Sequence, residues 1–155
     1  MDFQFKALSA DGFQDLFGQD HDALARLGVR RMVADENPGF PCRISLQDAE
    51  VGENVLLMNY EHQSKDTPFR ASHAIFVREW AAQAQPTINE VPTMFRSRLL
   101  SVRAFDAAGM MIDADVVDGK DLEPLIERML GNSATDVLHL HNARLGCYGA
   151  SVQRA

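Results

Sequence analysis

Alternating apolar and polar residues predict most of the secondary structure of this chain. Neighbouring side chains of a strand point to opposite faces, so a strand with one buried face alternates between the two residue classes. Short apolar or alternating runs bounded by turn residues lie at 3–8, 29–34, 55–60, 73–79, 99–106, 110–117, 135–142 and 147–153. The tight link AAG between 99–106 and 110–117 predicts that these two runs form a β-hairpin.

Helical spacing is clearest over 122–130. Apolar residues recur there at i, i+3, i+4, i+7 and i+8, which places them on one helix face: Leu122, Leu125, Ile126, Met129 and Leu130. Asp118 or Asp121 is the expected N-cap, and Gly131 the expected end.

Shorter helical turns are expected elsewhere. Ser9 and Asp20 are typical N-caps, and each precedes apolar residues about one turn apart. Gly18 and Gly28 are the expected ends of these two turns, and a further helical piece is expected over 80–84.

This order of elements predicts a single α+β domain over residues 1–155. Consecutive strands with few helices pack most simply as a mostly antiparallel sheet with the helices on one face, which leaves the other face open. Apolar residues make up 46% of the chain and charged residues 24%, as is typical of folded globular proteins.

The charge balance excludes one class of function. The formal net charge is −7, whereas nucleic-acid binding needs a dense basic surface. The arginines are nevertheless grouped, so a local anion pocket stays open: Arg30, Arg31, Arg70, Arg78, Arg96, Arg98 and Arg103.

The sequence also predicts a cytoplasmic protein. The first residues, MDFQFKALSADGF, lack the features of an export signal, and no apolar run approaches the roughly 18 residues of a membrane helix. Two cysteines are too few for a disulfide framework, which favours a reducing compartment. We therefore expect no membrane partner and no nucleic-acid partner.

One candidate site is a metal site on the strand 135–142. His139 and His141 are two residues apart and share a face of that strand, as do Asp113 and Asp115 on the strand 110–117. If the two strands are neighbours in the matching register, the imidazoles and carboxylates converge as ligands for a divalent transition metal. The alternative is that these polar residues cover a solvated or subunit-contact face.

A second candidate site is the polar connection after 55–60. The segment NYEHQSKDTPFR contains Tyr60, His62, Gln63 and Arg70 around a turn at Pro68. Arginine recognises carboxylate or phosphate with two hydrogen bonds, and tyrosine or histidine can add a third. The alternative is an ordinary solvated loop.

The two cysteines are the third candidate. Cys42 precedes Arg43, so a nearby cation could activate its thiol as a nucleophile, and Cys147 is a second candidate. The histidine partner of either thiol stays open among His62, His73, His139 and His141. The alternative is that each thiol is a small buried apolar group. Neither the GxGxxG and P-loop patterns nor the GxSxG elbow occurs, so we expect no nucleotide cofactor and no common serine-hydrolase mechanism.

Four segments resemble one known family. VADENPGFPCRISLQDAEVGENVLLMNYEHQ, PFRASHAIFVRE, RLLSVRAFDAAGMMIDADVV and HLHNARLGCYGA are together similar to the bacterial domain-of-unknown-function family numbered 1203. The resemblance extends from about residue 3 to the end. It implies a small single-domain bacterial protein, and it assigns no catalytic residue because the family has no established activity.

The resemblance and the side-chain chemistry point to overlapping residues. The segments most similar to the family contain Pro41, Cys42, Arg43, Tyr60, His62, Gln63, Arg70, Arg78, His141, Asn142 and Cys147.

The sequence leaves three functions open. The first is binding of a small anionic metabolite in a pocket built from Arg43, Tyr60, His62, Arg70, His141 and Asn142. The second is an enzyme that uses Cys42, Cys147 or the histidines, with or without a metal. The third is a protein-interaction module, and self-association is expected alongside any of them.

Overall fold

The computed structural model describes all residues, 1–155, and its strands form two antiparallel sheets. The five-stranded sheet has the order β1 (Phe3–Lys6), β8 (Tyr148–Arg154), β7 (Val137–Asn142), β5 (Leu99–Phe105) and β6 (Met111–Asp118). The three-stranded sheet has the order β2 (Arg30–Val33), β3 (Asn54–Gln63) and β4 (Ala71–Arg78). All pairs of neighbouring strands are antiparallel, so the predicted α+β class with mostly antiparallel pairing is confirmed.

The α-helices are few and short. They are α1 (His21–Arg26), α2 (Thr93–Arg96) and α3 (Leu122–Gly131), and single 3₁₀ turns lie at Ala10–Gly12, Gln14–Leu16 and Gly119–Asp121. Asp20 caps α1 through a hydrogen bond from the Ala23 N–H, as predicted. The turn expected after Ser9 is 3₁₀ rather than α-helical. No α-helix combines the length and hydropathy that crossing a membrane requires.

The helix predicted over 80–84 does not form. Trp80 has a φ of 64°, in the left-handed region that an α-helix cannot accommodate. The following residues are irregular.

Each sheet has its own apolar core. The predicted stripe of α3 is buried against β5, β7 and β8, in contact with residues that include Leu100, Val102 and Leu138. The second core joins α1 and the first 3₁₀ turns to the three-stranded sheet, with Leu24, Leu56 and others at its centre. The helices therefore pack on two different sheets, not on one face of a single sheet.

The face of the five-stranded sheet opposite α3 meets the second sheet. Along β7, Leu138 and Leu140 belong to the α3 core, so His139 and His141 point the other way. There they contact His62 from β3, and Tyr148 of β8 contacts Tyr60. The face that the sequence predicted to stay open is thus partly covered by β3 and β4.

Candidate functional site

Four histidines meet at the junction between the two sheets. The His62 ring lies 4.8 Å from the rings of His73 and His141 and 5.5 Å from that of His139, measured between ring centroids. His62 Nε2 lies 2.6 Å from His73 Nδ1, and His62 Nδ1 lies 3.4 Å from His139 Nδ1. We call His62, His73, His139 and His141 the histidine cluster.

A β-bulge places His62 in the cluster. Strand β3 continues to Gln63, beyond the predicted end at residue 60, and its register with β4 shifts between Glu61 and Gln63. A bulge re-aims a side chain and increases the local twist, and it is often found beside functional sites. The first residues of the predicted polar loop are therefore the end of strand β3. The side chain of His62 there faces the five-stranded sheet.

His141 is the most buried member of the cluster. Its side chain is 0% exposed, and Nδ1 lies 2.8 Å from the Gly146 carbonyl oxygen. A carbonyl only accepts, so Nδ1 carries the proton and Nε2 holds a lone pair. Nε2 has no hydrogen-bond partner. Leaving a buried polar atom unpaired costs about 1–3 kcal/mol, so its retention calls for an explanation.

The cluster stays neutral near pH 7. Burial is the main cause that lowers the pKa of His62 and of His141 to about 3 and that of His139 to about 4, and the nearby Arg103 guanidinium contributes to all three shifts. Tyr148 stacks on His62 with ring centroids 5.0 Å apart, and burial raises its pKa above the usual value. The imidazole lone pairs are therefore available at neutral pH.

A cavity of about 570 Å³ lies next to the cluster. His73 belongs to both, because it also lines the cavity. Three arginines line it as well, Arg43, Arg98 and Arg144, together with the polar side chains of Ser97, Asn142 and Cys147. We call this space the arginine cavity.

Arg43 connects the two sheets beside this cavity. Its backbone N–H donates to the Phe76 carbonyl of β4 at 3.1 Å, and its side-chain Nε donates to the Tyr148 carbonyl of β8 at 2.7 Å. Nη1 donates to the Pro41 carbonyl. The side chain is 1% exposed, and none of the salt bridges includes it. A buried cation here has hydrogen bonds but no carboxylate counter-ion.

The other two arginines differ in their partners. Arg98 is neutralised by Asp48, with two N–O distances of 2.6 and 2.9 Å. Arg144 is exposed in the connection between β7 and β8 and takes part in no salt bridge. The cavity therefore has two uncompensated positive charges in a protein whose net charge is −7.

The two thiols lie in different environments. Cys42 is 0% exposed, and its sulfur accepts hydrogen bonds from the N–H groups of Ser45 and Arg78 at 3.4 and 3.2 Å. Cys147 is half-buried in the cavity wall, where the Asn142 amide donates to its sulfur at 3.1 Å. Burial lowers the pKa of the Arg43 guanidinium, and the adjacent Cys147 raises it.

The sequence of the chain matches one family model, described as Protein of unknown function (DUF1203), over residues 39–154. The chain belongs to the DUF1203 family. The resemblance seen in the sequence is thereby confirmed over residues 39–154, and this region contains the whole histidine cluster and the whole arginine cavity. No curated protein and no solved structure matches the chain.

The structure divides the predicted anion-site residues of this DUF1203 protein between four places. Arg43 and Asn142 lie at the arginine cavity, and His62 and His141 lie in the histidine cluster next to it. Tyr60 packs between Phe13 and Tyr148, with ring centroids 6.1 and 6.2 Å away. Arg70 lies apart from both, on the surface, where it pairs with Glu61 at 2.9 Å.

One part of the metal prediction is wrong. The register pairs Asp113 with Ala104, and Ala104 with Leu138, so Asp113 lies on the α3 side of the sheet. There Asp113 and Asp115 both bind Arg128 of α3, at 2.9 and 3.0 Å. Strand β5 also separates them from β7. The acid pair therefore does not converge with His139 and His141.

The sequence suggested His73 only as one possible partner of a cysteine nucleophile and Arg103 only as one of the grouped arginines. His73 shares a strand face with the buried Ile75 and Val77. The sequence signal that could have indicated its place was therefore a histidine at the spacing of the apolar residues of its strand. Arg103 pairs with His139 across β5 and β7, a relation that only the register reveals.

Proposed function

We propose that this DUF1203 protein binds a small anionic molecule in the arginine cavity. The observation that carries the proposal is Arg43, a buried guanidinium with no carboxylate partner. Burying a charge is costly unless a counter-charge or a ligand compensates it. A bound anion would supply the missing charge.

Size and polarity support the same function. About 570 Å³ falls in the range of small-molecule sites, roughly 300–1,000 Å³. Arg144 at the surface can donate directly to a carboxylate or phosphate, and Asn142 and Ser97 offer further polar groups. Arg43 is almost inaccessible, so it acts through its field, which is stronger in a low-dielectric interior than in water.

Inorganic phosphate and malonate are suitable probes, titrated calorimetrically in low salt and EDTA. For whichever probe binds, we expect Arg144→Ala to lower the affinity at least about tenfold. The reason is that a charge-assisted hydrogen bond contributes roughly 1.5–3 kcal/mol. Arg70→Ala is the matched control, since Arg70 is an exposed arginine outside the cavity. Binding by neither probe, or equal losses in the two variants, would contradict the proposal.

A second candidate function is catalysis through Cys147. This thiol faces the cavity between Arg43 and Asn142, where a bound molecule would meet it. Thiol reactivity requires access as well as a favourable environment. Of the two cysteine candidates, only Cys147 has that access.

Alkylation of the native protein tests this difference between the thiols. We expect iodoacetamide to modify one thiol per chain, at Cys147, because Cys42 is fully buried. Intact-mass measurement should show a single addition that disappears in Cys147→Ser. Denatured protein should take up two additions. Equal labelling of both thiols in the folded chain would remove the distinction.

A further inference from the structure

We propose that His62, His73 and His141 bind a divalent transition-metal ion. Each offers a ring nitrogen, and these ligand atoms all lie within 4.8 Å of one another. The inference stands independently of anion binding, because it rests on the histidine cluster and not on the arginines.

The three ligands come from separate parts of the fold. His62 lies on β3, His73 on β4 and His141 on β7, so both sheets contribute. Three protein nitrogens with a further open position are typical of catalytic zinc sites. Ligands held by strands of two packed sheets are fixed more firmly than ligands on a loop.

His141 is oriented as a metal ligand. Its Nδ1–H donates to the Gly146 carbonyl, which fixes both the tautomer and the ring orientation. Metal-binding histidines nearly always make such a bond with the nitrogen that does not bind the ion. The remaining nitrogen, Nε2, is the buried atom without a partner, and coordination would satisfy it.

The surroundings of His62 are consistent with the same role. Its Nδ1 faces His139 Nδ1 at 3.4 Å, and its ring stacks on Tyr148. His139 would therefore act as a positioning residue, which accepts from His62 Nδ1–H and leaves Nε2 for the ion.

The ligand set selects the kind of ion. Three imidazoles without a carboxylate suit zinc, cobalt, nickel or copper, whereas magnesium and calcium require oxygen ligands. Imidazole binds such an ion through an unprotonated ring nitrogen, and His141 Nε2 is such an atom.

Binding would require small movements of the rings, because the ligand atoms are spread over up to 4.8 Å and one pair lies closer than a shared ion allows. His62 Nε2 and His73 Nδ1 are 2.6 Å apart, whereas two nitrogens on one tetrahedral zinc ion are about 3.3 Å apart, given zinc–nitrogen distances of about 2.0–2.1 Å. The rings would separate by about 0.7 Å. His73 is half-buried and lines the cavity, so its ring has room to move.

The test is titration of untagged, EDTA-treated and desalted protein with Zn²⁺ and Co²⁺. We expect one Zn²⁺ per chain by calorimetry, and visible absorption from bound Co²⁺ that Zn²⁺ displaces. His73→Ala should weaken Zn²⁺ binding at least hundredfold and remove the Co²⁺ absorption. His21→Ala is the matched control, because His21 is an exposed histidine on α1, and it should bind like the unaltered protein.

The outcomes separate this site from the anion site. His73 is half-buried, so its variant should fold, and circular dichroism checks this. His62→Ala, on strand β3 next to the strand of His73, provides a second variant. No stoichiometric Zn²⁺ binding, or unchanged binding in both variants, would overturn the metal proposal. Phosphate and malonate are titrated in EDTA, which removes metal ions. The anion proposal and the metal proposal can therefore be refuted separately.

Discussion

Replacing Gly119 by alanine should destabilise the protein by more than about 4 kcal/mol, among the largest effects of a single substitution. A Cβ at this position would lie 1.8 Å from the Phe95 carbonyl oxygen and 2.8 Å from its carbon. Both atoms are backbone, so no side-chain rotation relieves the overlap. The Gly119 N–H also donates to the Arg98 carbonyl at 2.9 Å, which holds the two segments together.

The segment that would have to move cannot do so freely. Phe95 is 2% exposed and packs on Phe5 with ring centroids 5.4 Å apart, and its ring also lies close to Gly149. Ser97 and Arg98 follow it and line the arginine cavity. A displacement of Phe95 would therefore disturb the core and the cavity wall together.

Urea unfolding followed by circular dichroism measures the effect. Gly131→Ala is the matched control, because a Cβ there has no neighbour within 4 Å and the residue ends α3. That control should keep or raise the free energy of unfolding by up to about 1 kcal/mol, since alanine favours a helix more than glycine. A Gly119→Ala protein as stable as this control would show that the close approach is not required.

Replacing Arg43 by glutamine should weaken binding of the anionic probe at least about hundredfold. The reason is electrostatic: opposite charges a few ångströms apart interact by a few kcal/mol at an effective dielectric constant of about 20, and each 1.4 kcal/mol is a factor of ten. Glutamine removes the charge but keeps an N–H donor for the Tyr148 or Pro41 carbonyl.

Arg43→Lys is the matched variant for this test. It keeps the charge and loses the planar fork, so it should retain affinity to within about tenfold of the unaltered protein. Calorimetry with the same probe compares the two, and circular dichroism confirms that each is folded. Equal affinity in Arg43→Gln and Arg43→Lys would mean that the buried charge has no part in binding.

The parts of the fold set by local spacing were predictable. The hairpin expected at 99–106 and 110–117 is β5 and β6, and the stripe at 122–130 is the buried face of α3. Both depend on residues that are neighbours in the sequence. The division of the strands into two sheets was not predictable, because the pairings of β5 with β7 and of β1 with β8 connect segments that are distant in the sequence.

The site shows the same limit. Spacing placed His139 and His141 on one strand face, as observed, but nothing local shows that His62 and His73 approach from the other sheet. Strand β3 extends into the segment predicted as a loop, and the bulge after Glu61 lies at its end. Asp113 and Asp115 failed as metal ligands because a strand's side-chain period is two and the actual register puts them on the opposite face.

The separation of the two apolar cores has an evolutionary consequence. The residues of α3 and the five-stranded sheet stabilise one half of the molecule, those around α1 stabilise the other, and the polar groups lie between them. Substitutions of the polar groups at this boundary can therefore change its surface chemistry with little effect on either core. Chains of this family can in this way carry different polar groups on an unchanged scaffold.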